Sequence, residues 1–141
     1  MYSHTTIGTN DLTRARGFYD AVLAPLGLEV RFSDDTMIGW GQPGGRPQFL
    51  VVRPFDGRKP SPGNGSMIAL LAPRRSLVDA CYAAAMGNGG TDEGAPGLRP
   101  HYHADYYGAY FRDPEGNKIC IVSHHAEEAL VKARNHPHMS A

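Results

Sequence analysis

This 141-residue chain lacks net charge: fourteen lysines and arginines offset fourteen aspartates and glutamates. With no basic block to track phosphates or sit on an anionic bilayer, neither nucleic acid nor a membrane is expected as a partner. Long apolar runs are missing too; none nears the ~18 residues that a transmembrane helix requires. The opening Met1-Tyr2-Ser3-His4 has no basic region followed by an apolar core, so a secretory leader is not expected. Cysteine is scarce. Cys81 and Cys120 allow one bridge at most, which excludes a disulfide framework and favours two free thiols in a cytoplasmic protein. Dinucleotide and phosphate glycine loops, paired-cysteine motifs and the serine elbow are all absent, so no nucleotide or serine-nucleophile chemistry is indicated.

Turn formers are abundant. Seventeen glycines and eleven prolines in a chain that is 41% hydrophobic predict short elements joined by many turns. Residues 2–9 read as a strand with His4, Thr6 and Gly8 on one face. Asn10 or Asp11 can cap a helix whose apolar stripe is Leu12, Ala15, Tyr19, Val22 and Leu26, ended by Pro25 and Gly27. Strands are predicted at 28–33, 37–41 and 48–53. Residues 54–65 are dense in proline and glycine and read as a linker, after which 66–72 form a strand and Pro73 opens a second helix. Residues 91–105 read mostly as loop, with a short strand at 91–93. A weak helix is predicted at 126–134, followed by a frayed end carrying His136 and His138.

Two features organise this pattern. Asp113-Pro114-Glu115-Gly116-Asn117 is a tight turn between two strands rich in aromatic and β-branched residues. The chain also repeats weakly: shifted by 63 residues, Tyr19 falls on Tyr82, Ala21 on Ala84 and Gly27 on Gly90. The repeat predicts an α+β fold of two β-α-β-β-β modules, one over about 2–53 and one over 66–124, with residues 125–141 as an extension. Each module is a small sheet with a helix on one side, leaving the other face open as a cavity.

The stretch His4 to Leu12 with Phe18-Tyr19, taken with Asp113 to Lys118, resembles the glyoxalase/bleomycin resistance/extradiol dioxygenase superfamily, the vicinal oxygen chelate fold. The resemblance covers residues 2–124 and implies a small organic molecule as ligand and a homodimer as assembly. In many members a divalent metal is held by a histidine on the first strand, a histidine on the strand opening the second module and a glutamate on the last strand. His4 matches the first; Met67 and Cys120 stand at the others. Mg²⁺, Mn²⁺ and Fe²⁺ want oxygen and imidazole ligands, so neither a metal nor another cofactor is expected. A soft set of His, Met and Cys for copper or zinc is the alternative.

His4, His101, His103 and Cys120 are the candidate catalytic residues. Imidazoles titrate near neutrality, and a thiol beside one can become a nucleophile. Trp40, Arg53, Met67, Tyr106, Tyr107 and Tyr110 are candidate ligand contacts. Strand parity puts Tyr106 with Tyr110 on one face and Tyr107 with Phe111 on the other. Trp40 could equally be core, and Arg53 or Arg112 could be solvated surface. Three functions stay open at this point: an enzyme of the lyase-like kind without the usual metal triad, a metal-free sequestering protein, or a structural module.

Overall fold

The computed structural model describes residues 1–127. The helix predicted at 126–134 lies outside the described residues apart from its first two positions, and so do His136 and His138. Asp11 caps α1 (Leu12–Leu23) by accepting from the Arg14 N–H at 2.9 Å, and a 3-10 turn at Ala24–Leu26 ends it. The stripe Ala15, Phe18, Tyr19, Val22 and Leu23 is buried. The second helix, α2 (Arg75–Gly87), buries Val78, Cys81 and Ala85 and begins two residues later than Pro73 suggests.

The strands are β1 (Thr5–Gly8), β2 (Glu29–Ser33), β3 (Met37–Gly41), β4 (Phe49–Val52), β5 (Ile68–Leu71), β6 (Thr91–Leu98), β7 (Tyr107–Arg112) and β8 (Lys118–Ser123). They form two four-stranded sheets, β1-β4-β3-β2 and β5-β8-β7-β6, each with one parallel pair at the β1 or β5 side and antiparallel pairs elsewhere. This is the two-module α+β architecture of the vicinal oxygen chelate type. His4 and Met67 sit just before β1 and β5, because both strands are shorter than predicted. The larger correction is β6. Gly94, Pro96 and Gly97 suggest a loop, yet the chain pairs with β7 from Thr91 to Leu98 through two irregularities in register. Pro96 is tolerated because β6 is an edge strand, and the glycines fall where the ladder slips.

The two modules join through their helices. α1 lies against α2, and Phe18 meets Phe111 edge-on at 6.1 Å between ring centroids. One core therefore serves both sheets, with Tyr19, Trp40 and Phe49 from the first module and Val78, Cys81, Ile119 and Ile121 from the second. Burying each such side chain contributes roughly 1.5–3 kcal/mol. The turn after β7 locks the modules further. Gly116 has φ +96, a value glycine adopts without strain, and its N–H reaches the Asp113 carbonyl at 2.9 Å. Within that turn Asp113 accepts the buried Tyr19 hydroxyl at 2.7 Å, and the Asn117 side chain donates to the Gly8 carbonyl at 2.9 Å. Glu115 accepts from the Asn10 N–H, the Thr9 hydroxyl and Arg14 at 2.6, 3.1 and 3.0 Å. The motif that carries the family resemblance is thus an inter-module clamp.

No helix among the described residues is long and apolar enough to cross a membrane.

Candidate functional site

Each sheet has a face turned away from the helices, and the two faces differ. On the first sheet Pro47 lies over Gly39 and Pro60 over Gly8, so the 42–48 loop and the linker approach this face at those two points. On the second sheet the alternation of β7 and β8 leaves Tyr110, Arg112, Lys118 and Cys120 on the outer face, while Phe111, Ile119 and Ile121 go to the core. Above them runs the 99–106 loop. This loop is where the modules stop matching. Thr5 to Ile68 and Leu12 to Arg75 are each 63 residues apart, but Met37 to Tyr107 are 70 apart. The second module has gained a segment over its open face, the usual place for function to be added.

Two adjoining clefts result. One, of about 390 Å³, is lined by residues that include Ser66, Met67, Tyr102, Tyr110, Arg112 and Lys118. The other, of about 300 Å³, is lined by Glu93, Gly94, Arg99, His101, Tyr102, Tyr110 and Lys118. Tyr102, Tyr110 and Lys118 belong to both, so they form one groove. Tyr102 is 61% exposed and packs at a tilt between His101, at 4.2 Å, and Tyr106, at 4.8 Å between ring centroids.

Beneath the loop lies a polar cluster. Tyr106 and Tyr110 share a hydrogen bond of 2.8 Å between hydroxyls, and the Tyr106 hydroxyl lies 3.6 Å from the Cys120 sulfur. Cys120 is fully buried there, and burial pushes its thiol up. Burial first, then their hydrogen-bond partners, hold Tyr106 well above the ordinary tyrosine range; burial also raises Tyr110. The sulfur and both hydroxyls thus keep their protons at neutral pH. His103 ties the loop down: it shares a hydrogen bond of 2.8 Å with His124, and its Nδ1 accepts from the Asp105 N–H at 3.2 Å.

Residues 2–121 match the family model described as glyoxalase/bleomycin resistance protein/dioxygenase superfamily. The chain belongs to this superfamily. A glyoxalase/bleomycin resistance protein from Albidiferax ferrireducens T118 is 38% identical, with a TM-score of 0.77 over 87% of this chain and 98% of that one. A lactoylglutathione lyase from Agrobacterium tumefaciens is 22% identical, with a TM-score of 0.62 over 87% and 92%, a likeness of fold alone. A search of curated proteins finds no match.

Many superfamily members hold a divalent metal, and the resemblance puts His4, Met67 and Cys120 at its ligand positions. Met67 offers a thioether, and Cys120 a buried, protonated thiol held by a tyrosine hydroxyl. His4 is exposed, with Nδ1 bonded to the Ser3 hydroxyl at 2.8 Å. Among the described residues no group of three or more His, Cys, Asp or Glu side chains is placed to hold an ion.

The structure sorts the other predicted site residues. His101, Met67 and Tyr110 line the groove, and Tyr106 lies beneath it against Cys120. Trp40 does not: it is fully buried, donates to Asp20 at 3.0 Å and packs on Tyr19 and Phe49. Tyr107 does not either. It faces α2, donates to Asp79 at 2.6 Å, and burial pushes its hydroxyl up to about 12. Arg53 follows β4, and its side chain donates to the Asp35 carbonyl. Among the described residues His4 makes no hydrogen bond to Met67 or Cys120. Sequence reasoning passed over Arg99 and Lys118. No sequence signal marked them, because Gly94 and Gly97 read as loop until β6 pairs with β7.

Proposed function

We propose that the chain binds a small organic molecule in the groove beneath the 99–106 loop, without a hard divalent metal. The observation that carries this reading is the pair of adjoining clefts that share Tyr102, Tyr110 and Lys118. A concave wall with exposed aromatic rings, a thioether and a few polar groups is the usual make-up of a small-molecule site. Sequestration is favoured over covalent turnover because the one thiol at the site is buried and protonated. An enzymatic reading has one observation behind it: His101 lines the groove and could carry a proton.

A homodimer and a cytoplasmic location belong to the same proposal. β1 and β5 are each at one edge of their sheet, and Leu71 on β5 is 70% exposed. Such edges and apolar side chains are covered when two copies associate. The two free, buried cysteines suit a reducing compartment.

A thermal-shift screen of small metabolites and aromatic compounds tests the site. Hits that stabilise the wild type and lose their effect in Tyr102→Ala support it. No hit, or equal shifts in wild type and variant, overturns it. Light scattering after gel filtration tests the dimer, with Leu71→Asp expected to yield monomer.

A further inference from the structure

Resting on that reading of the groove, we infer that its ligand is an organic carboxylate with a flat, unsaturated body, the carboxylate being held by Arg99 and drawn in by the charge of Lys118. The two cations flank one ring. The Arg99 guanidinium carbon lies 5.5 Å from the Tyr110 ring centroid, and the Lys118 Nζ lies 5.7 Å from the same centroid. Arg99 follows β6 and Lys118 opens β8, so they approach β7 from its two sides.

Arg99 is held in place by groups that leave its charge unanswered. Its Nη2 donates to the Ala95 carbonyl at 2.8 Å and its Nη1 to the Leu98 carbonyl at 3.5 Å. Space for the fork comes from missing side chains. A Cβ at Gly94 would stand 3.2 Å from Nη2, and a Cβ at Gly97 would stand 3.1 Å from Nη1. Two glycines, two carbonyls and one aromatic ring therefore orient a half-buried guanidinium before any ligand arrives. A cation fixed in this way loses less entropy on binding than a free surface arginine.

Among the described residues neither Arg99 nor Lys118 has a carboxylate within ion-pair distance. The one acidic side chain lining the groove, Glu93, is engaged by Arg112. The groove thus presents two unanswered positive charges around a ring. An anion is the ligand these charges recognise, and a carboxylate matches the planar donor pair of a guanidinium. The exposed faces of Tyr102 and His101 and the half-exposed Met67 supply flat and apolar contact for the rest of the molecule.

Isothermal titration with benzoate, its neutral isostere benzamide and inorganic phosphate tests this. Benzoate is expected to bind at least about tenfold more tightly than benzamide, and to weaken as salt is raised. Arg99→Gln and Lys118→Gln should each weaken benzoate about tenfold while the free protein keeps its native circular dichroism spectrum. Gly97→Ala, which crowds Nη1, should weaken it in the same direction. Equal affinity for benzoate and benzamide, or unchanged benzoate binding in both charge variants, overturns the inference. Phosphate binding as tightly as benzoate overturns it in favour of a bare anion site. If benzoate fails but a neutral compound from the thermal-shift screen binds and depends on Tyr102, the groove is a ligand site and only this inference falls. If nothing binds, both fall.

Discussion

Replacing Tyr19 by Phe removes one oxygen from the junction between the modules and little else. The ring keeps its contacts with Phe18 and Phe49, each at 4.9 Å, and with Trp40 at 5.7 Å, so no cavity opens. What is lost is the 2.7 Å hydrogen bond to Asp113 Oδ2. That oxygen keeps only the Asn117 amide at 3.0 Å, while Oδ1 retains the Glu115 and Asn117 N–H groups. Asp113 is 5% exposed, so water cannot readily replace the hydroxyl. A hydrogen bond to a charged group in such a place is worth about 1.5–3 kcal/mol. For a chain of this size that corresponds to a fall in melting temperature of roughly 5–10 °C. Urea denaturation should show a lower midpoint at an unchanged slope. A loss under about 0.5 kcal/mol would refute the reasoning that this bond clamps the modules. So would a fall of equal size in a background already carrying Asp113→Asn, because the two changes should not add.

Alkali should destabilise the fold. Tyr19, Tyr106, Tyr107 and Tyr110 are all raised above the ordinary tyrosine range, so above about pH 10 the unfolded chain releases protons that the folded chain retains. Stability is then complete below that pH and lost as pH rises through it; urea melts between pH 8 and 11 that show no decline would count against this. Gly116→Ala forces a Cβ onto a residue at φ +96 and should cost about 1–2 kcal/mol, read by the same denaturation. Cys120 and Cys81 are both fully buried, and burial pushes the Cys81 thiol up to about 12, so iodoacetamide should label neither quickly at pH 8. Tyr106→Ala uncovers Cys120 and should speed labelling there alone; fast labelling of the wild type would show that Tyr106 is no lid.

Local pattern carried much of this protein. The stripe from Leu12 to Leu26, the Asp11 cap, the Pro114–Gly116 turn and the 63-residue echo are near-neighbour properties, and they specify two sheet-and-helix modules before any tertiary contact is considered. The alternation around Ile119, Cys120 and Ile121 also placed Cys120 on the face away from the helices, because side-chain direction in a strand has a period of two. Tertiary structure decided which face became the groove. β1 and β5 are edge strands of two separate sheets, so His4 is not brought to Cys120 by parity alone. Trp40 went to the core because its indole N–H found Asp20 and its ring found Tyr19 and Phe49. Arg99 reads as one more loop arginine until β6 pairs with β7; that pairing brings Gly94 and Gly97 under its guanidinium and Tyr110 beside it. A charge acquires its role from what surrounds it, and those surroundings come from strands that only the folded chain makes adjacent.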